Sequence, residues 1–473
     1  MNKELATDLD QLSAILETVK LQGLDYLDVL TERPTSTYYT INQNKELAEK
    51  GVGTLGALKN FNSRLEPLMV ASSGPRYWGY VTGGTTPAAI AGDWLASIYD
   101  QNTQITHGQG GASAMIETET IQLLLDLLQL PRIFFGGFVT GATMSNFTCL
   151  AVARQWLGKM QGKDVAIERL SQHINILTAT PHSSVLKSLS LLGIGSNNII
   201  PIKTMQGNRE AINIIDFEEK IYMLKGEPFI LIGSGGTVNS VDFDDFEAIA
   251  KLKQQHHFWW HIDAAFGAFA ACSTKHQHLL NGWEFADSIT IDCHKWLNVP
   301  YENAVFLVNE KYSTLQVATF QNANAPYLGN PMEHFNYLNF LPENSRRLKA
   351  LPVWFTLMAY GKAGMREVVD GNIQSANQFG EFIIKNTAFE LLAPVRLNTV
   401  CFTLADIANQ DNVNHFLEKL NETGKVFMTP TTYRNRKGIR AAFVNWRTTP
   451  EDIQQVIDLM TRLIDLPDSN HNS

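Results

Sequence analysis

Residues 287–300 read "DSITIDCHKWLNVP". The run from Ser288 to Cys293 is apolar and β-branched, as a buried strand requires, and it ends abruptly in His294 and Lys295. A lysine in that place either snorkels to the surface or is an amine withdrawn from water for chemistry. Working outward, similar runs recur: "INILTAT" (174–180), "NNIIPI" (197–202), "PFILIG" (228–233), "FWWHIDAAF" (258–266) and "AVFLV" (304–308). Helical patterns over 143–160, 182–192 and 242–255 separate them. Near-continuous apolar strands alternating with helices predict an α/β fold whose mostly parallel central sheet is covered on both faces. Right-handed crossovers then gather the strand C-termini at one edge, where ligands bind.

The flanks read differently. Residues 1–70 are helices and loops, 71–345 form the large α/β unit, and 346–473 give a connecting helix and a smaller α+β unit. The segment 321–347, "QNANAPYLGNPMEHFNYLNFLPENSRR", is long, rich in Asn and Pro and without periodicity, the signature of a working loop.

Composition narrows the function. A net charge of −9 with 18% charged residues favours neither nucleic acid nor a membrane surface. Four scattered cysteines without a C-x-x-C pair fit a reducing compartment. The amphipathic start, with Leu5, Leu9, Leu12 and Leu16 among acids, is not a signal peptide. No apolar run is long enough to span a bilayer, so a cytoplasmic protein is expected.

Two tempting motifs are set aside. "GVGTLG" (51–56) matches the dinucleotide fingerprint but follows polar, helix-like residues instead of a strand. His256, His257 and His261 lack the acids or cysteines that would complete a metal site, so no metal is expected.

The strand ends carry the chemistry. Asp263 closes one apolar strand and Lys295 ends a neighbour, while His182 follows a third. "TGATMSN" (140–146) opens a helix whose free N–H groups and dipole suit a phosphate. Anion nest, imidazole, carboxylate and lysine on one sheet edge meet the needs of pyridoxal 5'-phosphate. The lysine would hold the aldehyde as a Schiff base and the carboxylate would pair with the pyridinium nitrogen. The imidazole would stack on the ring.

"DCHKWLNVPY", "HIDAAFGA", "TPHSSVLKS", "TGATMSNFTCLAVAR" and "GPRYWGYVTGGTTPAA" resemble the group II pyridoxal-phosphate-dependent amino acid decarboxylases, from about Pro75 to "TTPEDIQQVIDLM". The resemblance implies the fold type I architecture and a homodimer with shared active sites. It implies L-amino acid α-decarboxylation, releasing carbon dioxide and an amine. It makes Lys295 the Schiff-base lysine, Asp263 the pyridinium partner, His182 the stacking ring and Ala265 the residue against the ring face. Ala142, Thr143 and His294 fall at the phosphate, and Tyr77 and Trp78 at the substrate entrance. Of the family's consecutive threonines only Thr237 remains, as a further cofactor contact. Tyr337, spaced before "SRR" as the family's loop tyrosine stands before Gly-Arg-Arg, is the implied proton donor, with Tyr327 its rival. A tyrosine there favours amine over aldehyde as product. An aminotransferase or a non-catalytic relative remains the alternative, and Arg440 in "GIRAAF" keeps the former open.

Overall fold

The computed structural model describes residues 1–39, 46–104, 111–168, 174–321, 332, 335–405 and 411–465. Seven strands build the large sheet: β1 (Phe134–Val139), β2 (Asn175–Thr178), β3 (Ile199–Pro201), β4 (Phe229–Ser234), β5 (Phe258–Asp263), β6 (Ser288–Asp292) and β7 (Ala304–Asn309). Their order is β1-β7-β6-β5-β4-β2-β3. Strands β2 to β6 pair in parallel, which confirms the α/β expectation and brings their C-termini to one edge.

Strand β7 departs from that expectation by running antiparallel to both β6 and β1. The reason is the connection: residues 293–303 form turns without a helix, and a parallel return needs a longer crossover. The lysine therefore lies in a tight reversal and not in a strand-to-helix loop. Strand β1, "FFGGFV", escaped the sequence reading because two glycines interrupt its apolar run.

Side chains of successive strand residues go to opposite faces of the sheet. Leu231, Ile262, Ile289 and Leu307 join one buried cluster, and Ile230, Ile232, Trp259 and Phe306 join the other beneath the helix Ala142–Met160. Each such side chain contributes about 2 kcal/mol through removal from water.

A second, antiparallel sheet of order β10-β11-β9-β8 comprises β8 (Phe389–Leu391), β9 (Thr399–Leu404), β10 (Thr429–Tyr433) and β11 (Arg436–Ala442). The expected helix from about 348 is Ala350–Lys385, broken at Gly361, whose combination of φ 57° with ψ −167° only glycine adopts cheaply. "GVGTLG" indeed leads into a helix, Gly53–Arg64, with no strand before it among the described residues. In the N-terminal helices Lys3–Asp10 and Leu12–Asp28, Leu5, Leu9, Leu12 and Leu16 are all exposed. Among the described residues no helix is long and apolar enough to cross a membrane.

Candidate active site

The reversal after β6 is fixed from three directions. Asn298 sits at φ 57°, a left-handed conformation that its short amide side chain tolerates. Its Oδ1 accepts from the N–H groups of Gly84 (2.9 Å) and Trp446 (3.1 Å), and its Nδ2 donates to the carbonyls of Trp296 (2.7 Å) and Val444 (2.9 Å). Gly83 lies so close that a Cβ there would stand 2.1 Å from the Lys295 carbonyl oxygen, so no larger residue fits. Thus held, Lys295 places its Nζ 2.8 Å from Asp292 Oδ2, with His294 Nε2 3.7 Å from the same oxygen. The other Asp292 oxygen is buried without a hydrogen bond.

One strand away, Asp263 is oriented on both oxygens. Oδ1 accepts from the Ala265 N–H (3.2 Å) and Oδ2 from Asn146 Nδ2 (3.0 Å). Asn146 is the hub: Nδ2 also donates to Ser184 Oγ (3.2 Å), and Oδ1 pairs with His261 Nε2 (2.8 Å). His261 Nδ1 in turn pairs with Ser288 Oγ (2.9 Å), so this histidine is a satisfied core residue. Burial holds its pKa down at about 4. His182 caps the helix Ser183–Leu191, its Nδ1 accepting from the Ser184 N–H (3.2 Å), which leaves the ring proton on Nε2. Desolvation by the surrounding chain keeps the imidazole below its usual pKa, with Asp263 opposing.

A cavity of about 530 Å³ opens along this edge, and His182, Thr237, Asp263, Ala265 and Lys295 line it. Ala142, Thr143 and His294 are not in its wall. Gly141 N-caps the helix Ala142–Met160 with no side chain capping the first turn, which leaves N–H groups for an anion. A Cβ on Gly141 would be 3.7 Å from His294 Cε1, so the histidine adjoins that turn.

Three expected residues are not brought to the cavity. Trp78 is 1% exposed, packed on Phe379 and Phe443, and its backbone bonds to Phe427 and Ala442 beside the small sheet. Tyr77 stacks on Phe427 at 4.8 Å. The wall residues of that segment are instead Tyr80 and Val81. Tyr337 is 1% exposed against β1, with its hydroxyl 3.4 Å from the Gly136 carbonyl and Arg346 stacked over its ring at 4.6 Å. Burial drives its pKa well up, and it packs by β1 outside the wall of the Lys295 cavity of this chain. Tyr327 lies outside the described residues.

Other residues of the site went unmarked or half-marked in the sequence, of which Arg440 and Tyr301 line the cavity. Arg440 is paired with no carboxylate among the described residues; it reaches only the carbonyls of Val238 (3.4 Å) and Tyr80 (3.3 Å), and its Nε is buried without a partner. Burial lowers its pKa. Tyr301 packs its ring 4.3 Å from that of His294 and shares a 3.1 Å hydrogen bond with Thr82. Asn146 could have been found, since it follows Thr143 by three residues on one helix face. Asp292 stood inside the opening stretch, three residues before the lysine.

The model of the pyridoxal-dependent decarboxylase conserved domain matches residues 38–405. The chain belongs to this family. Its residues fit the family's cofactor: an amine and an oriented carboxylate share one cavity beside an uncapped helix start, with the small Ala265 leaving room for a ring. The protein is therefore a pyridoxal-phosphate-dependent amino acid decarboxylase, a carboxy-lyase. It is 29% identical to an aromatic-L-amino-acid decarboxylase of Bacillus atrophaeus, over 92% of this chain and 91% of that one. A phenylacetaldehyde synthase of a Rosa hybrid cultivar is 25% identical, over 79% and 77%. Among solved structures, Oryza sativa TDC with PLP and tryptamine superposes with a TM-score of 0.86 at 21% identity, covering 96% of this chain and 97% of that one.

Proposed function

We propose that this decarboxylase removes the α-carboxyl group of an L-amino acid at a cofactor carried by Lys295 and releases the amine. The carrying observation is the meeting of Lys295, Asp263 and His182 in the wall of one cavity. Bound pyridoxal phosphate supplies an electron-poor ring that takes up the electron pair left when carbon dioxide departs. Asp263, fixed by Asn146 and Ala265, would pair with the ring nitrogen of the bound cofactor and keep it protonated. The neutral His182 gives a flat surface for stacking. Asp292, 2.8 Å from Lys295 Nζ, would hold that amine whenever it is not carrying the cofactor. The unpaired Arg440 takes the substrate carboxylate. The Ala142–Thr143 turn with His294 holds the phosphate.

Tyr301, the cavity phenol that shares a hydrogen bond with Thr82, is our choice for returning the proton to the α-carbon. Tyr337 lies outside the cavity wall, so the amine reading does not rest on it. Thr237, with its hydroxyl already committed to Glu210, serves the cofactor by shape only. Exposed leucines on the first two helices favour a homodimer built through them. Four buried free cysteines suit the cytoplasm.

The test is spectroscopic and chemical. Purified protein loaded with pyridoxal phosphate should show an absorbance band at the visible edge that Lys295→Ala abolishes. Carbon dioxide and amine should appear in equal amounts from at least one L-amino acid. Keto acid without carbon dioxide would establish an aminotransferase instead, and aldehyde with peroxide the aldehyde-forming reaction.

A further inference from the structure

Apart from Asp263 and Asp244, whose oxygens accept backbone N–H groups of the chain itself, the cavity wall holds a carboxylate that none of these roles uses. Glu210 arrives on the loop between β3 and the helix Ile214–Met223, and its backbone is fixed at both ends. Its N–H donates to Asp242 Oδ2 (2.7 Å) and its carbonyl accepts from the Thr180 hydroxyl (3.0 Å). Three donors converge on Oε2: Thr237 Oγ1 (2.6 Å), Ser240 Oγ (2.5 Å) and the Ser240 N–H (3.2 Å). Among the described residues nothing donates to Oε1, and no lysine, arginine or histidine forms an ion pair with Glu210. Arg440 lines the same cavity, equally without an ionic partner.

Three donors on one oxygen fix the direction of the other. A carboxylate so aimed, half out of water and without a cation, is costly until a positive group reaches it. We infer that Glu210 Oε1 receives a cationic side-chain end of the substrate, so that the enzyme acts on a basic L-amino acid bearing a terminal ammonium. This deepens the decarboxylase reading and rests on it. Such a substrate satisfies both unpaired groups of the cavity: its carboxylate meets Arg440 and its far ammonium meets Glu210, while its α-amine takes the place of Lys295. A neutral aromatic side chain would leave the Glu210 charge desolvated and unanswered.

The holoenzyme is tested against L-2,4-diaminobutyrate, L-ornithine and L-lysine, against their methyl-ended counterparts, and against L-phenylalanine and L-tyrosine. The best diamino acid should exceed its methyl-ended counterpart in kcat/KM by about tenfold to a hundredfold, the range of one charge-assisted hydrogen bond. Glu210→Gln keeps an acceptor for Thr237 and Ser240, and it should erase most of that advantage through KM. Equilibrium titration of the cofactor band with product amines gives an independent reading: Glu210→Gln should weaken a diamine by about tenfold or more and leave a monoamine of equal length unchanged. Carbon dioxide release that favours neutral aromatic substrates, or a Glu210→Gln variant that discriminates as wild type does, overturns the assignment while the decarboxylase stands. No carbon dioxide from any amino acid, together with no Lys295-dependent band, brings down the decarboxylase reading and this inference with it.

Discussion

Two polar clusters occupy different strands of the large sheet, and both combine an acid, a cation and an aromatic ring. At the β1 edge, Arg346 pairs with Glu117 at 2.5 Å, donates to the Phe138 carbonyl at 2.8 Å, and covers Tyr337. At the C-terminal edge of β5 and β6, Asp263, Lys295 and Asp292 gather beside His182 and Tyr301. The residue types are alike, but the surroundings differ. Glu117, Arg346 and Tyr337 are 0%, 7% and 1% exposed, with a cation stacked over the phenol. The second cluster opens on a cavity and leaves charged groups such as Arg440 unanswered. A buried charge that the chain itself pairs holds a fold together, whereas one left without a partner beside a cavity awaits a ligand.

Substitutions should separate the two clusters. Glu117→Ala strands Arg346 in the core and should lower stability by about 3–5 kcal/mol, seen in denaturant unfolding, while folded molecules retain their cofactor band. Asp263→Asn should do the reverse. Carbon dioxide release should fall by about a hundredfold to a thousandfold at nearly unchanged melting temperature, as when a preorganised electrostatic partner is lost. If both variants lose stability alike, the contrast fails.

His261 sharpens the comparison, because it lies under the active cluster yet is fully satisfied. Its folded pKa of about 4 lies below the ordinary 6.5, so the unfolded chain binds the proton first as pH falls. Its contribution is complete above pH 6.5 and should be lost between there and about pH 4, roughly 3 kcal/mol in all. His261→Gln should flatten the stability curve over that interval. Smallest of all is Tyr337→Phe, which removes the hydroxyl's weak interactions with the Gly136 carbonyl and the Thr118 side chain. It should cost about 1 kcal/mol or less and leave carbon dioxide release within about twofold. A collapse of turnover in that variant would put Tyr337 back among the working groups.

These contrasts explain what could be read in the sequence. Strands β2 to β6 were legible because each is a continuous apolar run, and Lys295, Asp263 and His182 because each ends or follows one of them. The packing of Tyr337 against β1 was not legible, because spacing along a chain says how far a residue stands from a neighbour, not which side of a sheet it packs on. Tyr77 and Trp78 failed for a related reason. An aromatic near a turn reads the same whether it lines an entrance or anchors a second sheet, and only the bonds of Trp78 to Phe427 and Ala442 tell the two apart. Glu210 carried no signal at all, since its meaning comes from Thr237 and Ser240, close to it only in three dimensions.

Asn298 ties the lysine reversal to Gly84 on one side and to Val444 and Trp446 on the other. During synthesis, Lys295 leaves the ribosome long before residues 444–446 exist. The nascent chain can thus assemble most of the parallel sheet and still lack the clasp around its lysine. Capture of the cofactor becomes a late checkpoint, and the appearance of its absorbance reports that distant thirds of the polypeptide have found one another.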